Sequence, residues 1–172
     1  MVSQLKVNEI IKQSGSSITI GVDGDTVSGP FTMLPAFQVK LDGNQSIPDE
    51  TVTKIQWNNE LYDTDSAYDN STNYRFTVPS AKGGTYFFYS QIQFNTSSYL
   101  ELQIKKNGSE WLKSHEPNLS TNNSRSVWAC GADIASAGDY YECYTYQDTS
   151  GAINLIGNNT RSFFGGYRIV GA

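Results

Sequence analysis

Residues 85–94, Thr-Tyr-Phe-Phe-Tyr-Ser-Gln-Ile-Gln-Phe, carry large apolar side chains at consecutive positions. In an extended chain neighbouring side chains point to opposite sides. Tyr86 and Phe88 therefore fall on one face and Phe87 and Tyr89 on the other. Such a strand has two sides to cover: one against its own second sheet, one against something else. The pattern predicts a central strand, buried on both faces.

The flanking sequence repeats a strand–turn–strand rhythm. Residues 36–41 alternate Phe37, Val39 and Leu41 on one face, and strands are expected again over 52–57 and 74–78. Leu100, Leu102 and Ile104 point inward before Asn107-Gly108, the strongest hairpin turn signal in the chain, with a returning strand over 110–114. A polar stretch from His115 to Arg125 reads as a loop. Strands follow over 126–135, 140–146, 153–156 and 163–170, with a turn at 136–139. That makes nine or ten strands at the spacing of a sandwich or jelly roll. At 172 residues the chain suits one sizeable core plus a short appendage. A composition 13% aromatic and 17% charged, rich in Asn, Ser, Thr and Gly, favours pleated strands and polar turns over helices. Only residues 2–12 compete as a helix.

Residues 1–28 differ from the rest. Leu5 and Val7 alternate with polar residues, as do Ile18, Ile20 and Val22. Two short strands are expected there, with too little apolar area to fold alone. Ser28-Gly29-Pro30 marks the boundary to a main domain over 29–172.

The function classes excluded are as informative. A net charge of -5 without a Lys/Arg cluster argues against nucleic acid as a partner. The polar residues Gln4, Lys6, Asn8 and Glu9 interrupt any signal peptide, and no stretch is long enough for a membrane span. Synthesis in a cytoplasm without standard export is expected, and the Asn-x-Ser/Thr triplets, such as those at Asn70 and Asn95, are better read as polar loops than as glycan sites. Cys130 and Cys143 either pair or are two small buried residues; spacing leaves this open and leans to free, buried thiols. Nucleophilic catalysis needs a base and an orienting group, and the one histidine, His115, lies in the expected polar loop. The carboxylates Asp133, Asp139 and Glu142 are enzyme candidates only in that nothing rules them out, and Asp139 is explained by turn chemistry. Asp63-Thr64-Asp65 with Asp69-Asn70 offers hard oxygen ligands, but Tyr68 and Tyr74 stand where a calcium loop needs Gly and Glu. No enzyme activity, metal or cofactor is expected.

Five pieces, in order, resemble a known family. They are Tyr74-Arg75-Phe76-Thr77-Val78-Pro79; Gly84 through Ser90; the Leu100-Leu102-Ile104 strand with Lys106-Asn107-Gly108; Gly138-Asp139; and Phe164-Gly165-Gly166-Tyr167. Before them, Phe37, Ile55, Trp57 and Tyr68-Asp69 fit the family's first strands. Over residues 31–172 the chain resembles the C1q/tumour-necrosis-factor-like globular domain. The resemblance implies a ten-stranded jelly roll that forms a compact homotrimer, with inner-sheet aromatics meeting around the three-fold axis. Phe87, Tyr89, Trp128, Phe163 and Tyr167 would be those aromatics. Collagen-like repeats and a membrane stalk are absent from this sequence, which puts complement or cytokine function in doubt.

The segment Gln4 through Ile10, with Ser17-Ile18-Thr19-Ile20-Gly21, resembles the start of tailed-bacteriophage virion proteins, those of marine phages in particular. That resemblance implies a virion protein assembled in the host cytoplasm, anchored to other virion proteins through Leu5, Val7, Ile10, Ile18 and Ile20. The leading expectation is a trimeric tail-fibre or receptor-binding head. Its loops 42–50, 62–73, 115–124 and 147–152 would meet a host surface glycan or protein. A capsid decoration trimer and a free C1q-like lectin are the alternatives.

Overall fold

The computed structural model describes residues 34–96, 98–118, 124–157 and 161–171. The expected N-terminal segment, with its anchoring candidates Leu5, Val7, Ile10, Ile18 and Ile20, lies outside the described residues. Every regular element among the described residues is a β-strand: β1 (Ala36–Lys40), β2 (Gln45–Ile47), β3 (Thr53–Lys54), β4 (Asn59–Asp63), β5 (Tyr68–Asp69), β6 (Arg75–Thr77), β7 (Gly84–Asn95), β8 (Leu100–Lys106), β9 (Ser109–Glu116), β10 (Ser124–Ala135), β11 (Tyr140–Gln147), β12 (Ile153–Leu155) and β13 (Phe163–Gly171).

All pairings are antiparallel and build two sheets. The first runs β10–β7–β13–β1–β4, with β12 meeting the end of β7 at Leu155↔Phe94 and β2 pairing β12. The second runs β5–β6–β11–β8–β9, with β3 beside β11. Five of these strands, β2, β3, β5, β6 and β12, are only two or three residues long, which is why the count exceeds the nine or ten expected. This is the expected jelly-roll sandwich.

The central position of β7 follows from its sequence. Tyr86, Phe88, Ile92 and Phe94 all turn inward and are fully buried. They meet the second sheet in a dense aromatic layer. Phe88 stacks on Tyr141 of β11 at 3.9 Å between ring centres, and Phe37 of β1 stacks on Phe76 of β6 at 4.5 Å. Phe164 closes edge-on against Phe37 at 5.0 Å. Offset and edge-on pairs of this kind add about 0.5–1.5 kcal/mol each beyond area burial.

The hairpin expected at Asn107-Gly108 is present: both residues have positive φ, 51° and 80°, as a type I′ turn requires. The turn between β10 and β11 uses Gly138 at φ 89°. Asp139 accepts from the Ser136 backbone N at 2.9 Å and from Asn107 Nδ2 at 2.8 Å, so the two turns brace each other.

Several expectations need correction. In the strand expected over 52–57, only Thr53–Lys54 pair in a ladder. Ile55 and Trp57 still fill the core, because Ile55 N donates to Cys143 O across the gap. The loop expected from His115 to Arg125 is shorter. β9 runs on to Glu116, which sits opposite Leu100, and β10 already includes Arg125. His115 is thus an edge-strand residue with its ring stacked on Tyr99 at 5.6 Å. The strands β2 and β4 have no counterpart in the sequence reading, whereas β5 falls on Tyr68-Asp69, which the resemblance places among the family's first strands. The outer face of β7 is only half-buried within this chain, not buried as its sequence suggested.

Candidate functional site

The outward residues of β7, β10 and β13 share one face of the first sheet, and the register aligns them in rows. Gln91 sits between Trp128 and Phe163. Tyr89 sits between Cys130 and Gly165, and Phe87 between Ala132 and Tyr167. All five aromatics named from the resemblance therefore lie on one surface. Their rings touch in a chain: Phe163 to Tyr89 at 6.0 Å, Tyr89 to Phe87 at 6.4 Å, Phe87 to Tyr167 at 5.7 Å. Trp128 stands apart across β7, 63% exposed.

Two consecutive glycines allow the neighbouring rings to cross β13. A methyl group on Gly165 would stand 2.6 Å from the Tyr89 ring carbon Cζ and 2.9 Å from the Phe37 carbonyl oxygen. A methyl on Gly166, on the inward side, would stand 2.5 Å from the Phe88 ring. Tyr89 can thus lie flat over the outer face while Phe88 lies flat over the inner one. The Tyr89 hydroxyl reaches that of Tyr62 at 3.4 Å. Burial first, then this contact, pushes the Tyr89 phenol well above its ordinary value.

The apolar surface is wider than the sequence reading proposed. Ile134, 77% exposed, lies in the row Ile134–Thr85–Val170, and Val170 is exposed too. Period-two counting from Trp128 through Cys130 and Ala132 reaches Ile134 and could have found it. Tyr62, also exposed, joins this face from β4, a strand that sequence reasoning did not foresee.

Other candidates have structural partners. Asp133 accepts from the Tyr141 hydroxyl at 2.6 Å and pairs with Lys106 at 2.8 Å; Lys106 also reaches Asp139 at 3.3 Å. Glu142 pairs with Lys54 at 2.5 Å. These carboxylates are ion-paired struts that do not converge on a pocket. Asp63 accepts from the backbone N of Tyr68 at 2.8 Å. Asp69 accepts from the backbone N of Thr72, Ser71 and Asn73, which together hold its carboxyl far below the usual range. Asp63 and Asp69 thus organise turns, and Asp65 accepts from the Thr64 hydroxyl at 3.0 Å. Among the described residues no three His, Cys, Asp or Glu side chains gather as a metal site. Both cysteines are free; Cys143 is buried, and Cys130 is exposed on the aromatic face, contrary to the buried reading.

The two ends of the sandwich differ. At one end Pro35 O accepts from Arg168 N at 2.9 Å and Gly171 pairs with Gly84, so the chain enters and leaves there. At the other, Arg125 donates to Pro117 O and Ser98 O and pairs with Glu116 at 2.8 Å, and Ser150 N donates to Asp49 Oδ1 at 3.0 Å. The described residues of three of the four expected contact loops, 42–50, 115–124 and 147–152, thus lie at this second end. The loop 62–73 does not: it begins at the first end, where Thr64 N donates to Ala36 O. The 12 residues of β7, at about 3.3 Å each, separate the ends by about 40 Å. A polar groove of about 600 Å3 runs beside residues 41–46 and Lys54–Asn58. Its amides are engaged internally: Gln45 bonds Lys54 O and Gln56 N, and Asn58 bonds Asp42 N.

No family model matches the sequence, and no curated protein matches it. Solved structures do. Murine APRIL at pH 5.0 aligns with a TM-score of 0.62 at 14% identity, over 79% of this chain and 99% of that one. Eiger TNF from S. frugiperda aligns at 0.61 and 16%, over 81% and 94%. The globular domain of zebrafish complement 1qA protein aligns at 0.59 and 19%, over 80% and 99%. The fold is the C1q/tumour-necrosis-factor jelly roll. At these identities the likeness establishes architecture alone.

Proposed function

We propose that this chain is a non-enzymatic binding module that works as a homotrimer, forming the head of a short tail fibre or receptor-binding appendage on a bacteriophage particle. The observation that carries the trimer is the outer face of the first sheet. Phe87, Tyr89, Phe163 and Tyr167 form a connected aromatic chain, and Trp128, Ile134 and Val170 add apolar surface on the same face. A patch of this kind is an aggregation hazard on a lone subunit. A closed three-fold assembly covers it on every copy and leaves no free partner surface.

The two-ended layout supports a module held at one end and reading a ligand with the other. Leu34 lies at the end from which residues 1–28 would anchor to other virion proteins through Leu5, Val7, Ile10, Ile18 and Ile20. The loops at the far end would meet a host surface glycan or protein. The ion-paired roles of Asp133, Asp139 and Glu142 support a non-catalytic reading. Localisation on the virion rests on the N-terminal resemblance.

Removing residues 1–28 tests the assignment. The shortened chain is expected to stay a folded trimer by light scattering and to be lost from purified particles. A shortened chain that remains on particles contradicts the anchoring role. Electron microscopy of intact particles carrying the full chain should show it on the tail; density on the capsid would make it a decoration protein, and absence from particles a free binding module.

A further inference from the structure

The outer face of the second sheet holds a series of tyrosines. β11 turns Tyr140, Tyr144 and Tyr146 outward in alternation with buried residues. Two of the three carry a cation. The Arg75 guanidinium carbon stands 4.3 Å from the centre of the Tyr140 ring, and Lys105 Nζ 4.0 Å from that of Tyr144, with Lys54 also near, at 5.6 Å.

Tyr146 continues the series in different company. Its ring meets that of Tyr99 at 6.1 Å with the planes 72° apart, so the two form the walls of a corner. His115 stacks against Tyr99. The corner is braced: Tyr99 N donates to Asp148 Oδ1 at 2.9 Å, and the Tyr99 hydroxyl to Glu101 Oε1 at 2.8 Å. Carboxylates surround it. Glu50 N donates to Gln147 O at 2.8 Å, which brings the 48–50 loop beside Tyr146, and Asp49 accepts from Ser150 N. The Tyr146 phenol is raised, by desolvation and then by Glu50, Asp148, Asp49 and Glu101.

Charge in this corner is out of balance. Among the described residues no lysine or arginine stands over Tyr99 or Tyr146. Glu101 pairs with Lys113 at 3.1 Å, whereas Asp49, Glu50 and Asp148 form no ion pair among the described residues. Ring faces attract a cation through their quadrupole, and nearby carboxylates strengthen the attraction. The same sheet meets this requirement for Tyr140 and Tyr144 with its own side chains.

We propose that the Tyr99–Tyr146 corner, rimmed by Asp49, Glu50 and Asp148, binds the lysine or arginine side chain of a basic peptide segment on the partner protein. This names the ligand chemistry of the far end in the reading above and rests on that reading, but it needs no trimer contact. It also favours a protein ligand over a glycan at this end of the module.

The test uses the full chain and three labelled peptides of equal length, alternating Arg-Gly, Ser-Gly and Glu-Gly, titrated by fluorescence anisotropy at low salt. The Arg-Gly peptide is expected to bind, with the other two at least about ten-fold weaker, and binding should fall with added salt. Tyr146→Phe keeps the ring and should bind like the parent. Tyr146→Leu keeps bulk without a ring and should weaken binding about five- to ten-fold. Asp49→Asn with Asp148→Asn, which keep the acceptors for Ser150 N and Tyr99 N, should weaken it further. Thermal melts of each variant check folding. Failure of the Arg-Gly peptide to bind, equal binding of the Ser-Gly peptide, or undiminished binding by a folded Tyr146→Leu variant overturns the proposal. Light scattering on the same samples separates the two readings: trimers that ignore the peptide sink only this inference, and monomers that bind it sink only the trimer.

Discussion

Substitution of Gly165 by alanine is a sharp test of how the aromatic face is built. Gly165 lies in an extended strand without a positive φ, so alanine would ordinarily stabilise it by about 0.4–1 kcal/mol through the unfolded chain. Here the added methyl meets the Tyr89 ring and hydroxyl at 2.6 Å and the Phe37 carbonyl oxygen at 2.9 Å. Ordinary contact is close to 3.5–4.0 Å, so the Tyr89 ring must move by about 1 Å, and the Gln38↔Gly165 pairing must open slightly. Overpacking of this kind costs about 1–3 kcal/mol. The net expectation is a loss of about 1–2 kcal/mol, a fall in Tm of about 2–8 °C for a domain of this size. A double-mutant cycle with Tyr89→Ala isolates the cause. In the Tyr89→Ala background the alanine at 165 should keep only the cost of its Phe37 carbonyl contact, with a coupling to Tyr89 of about 1 kcal/mol. Denaturant titrations at one fixed protomer concentration measure it, since assembly makes stability concentration-dependent. Additivity within about 0.5 kcal/mol would refute the claim that the ring rests on the glycine.

Three further outcomes are expected. Arg125 is buried and holds Pro117 O, Ser98 O and Glu116 together, so Arg125→Lys, a point charge in place of a planar fork, should cost about 1–2 kcal/mol in urea unfolding; a neutral result would mean the fork geometry is dispensable. The Asp69 carboxyl is depressed below its unfolded value of 3.8 by the backbone N–H groups of Thr72 and Ser71. Its contribution is therefore present above that value and fades as pH falls below it. The stability gap between the parent and Asp69→Ala at pH 7 should shrink in acid, and a gap independent of pH would remove the capping role. Burial pushes the Cys143 thiol up to about 12. It should resist a thiol reagent until the chain unfolds, while Cys130 should be shielded in the assembly and react faster as dilution dissociates it; equal reaction of Cys130 at all concentrations would place it off the interface.

Much of the fold was legible because buried positions recur with period two along β1, β7 and β10, and because β8 alternates Leu100, Leu102 and Ile104 with polar residues. Their inward sets, such as Phe37–Val39 and Leu100–Leu102–Ile104, all reach the core. The missed β4 has no such pattern: Leu61 and Tyr62 are adjacent and both exposed, and the strand bonds only β1 through a bulge. β9 was cut short because Lys113 and His115 face solvent on an edge strand, where polarity imitates a loop. The aromatic face was legible in outline, since alternation alone sends Phe87, Tyr89 and Trp128 outward. The register that sets Gln91 between Trp128 and Phe163 was not. The Tyr99–Tyr146 corner joins residues from three chain segments, and no local pattern announces it.

The outward aromatic sheet, closed by three identical chains, is the claim on which the account depends. Covering the exposed part of Trp128 is worth at most about 2–4 kcal/mol per chain, taking 63% of a ring that buries roughly 150–250 Å2. Light scattering coupled to size exclusion measures the assembly directly. The full chain should give a mass three times 19.0 kDa, and Tyr89→Asp should give folded monomers or aggregates, because a charge enters a dry contact. A monodisperse monomer of the unaltered chain, or an undisturbed trimer of Tyr89→Asp, would contradict it.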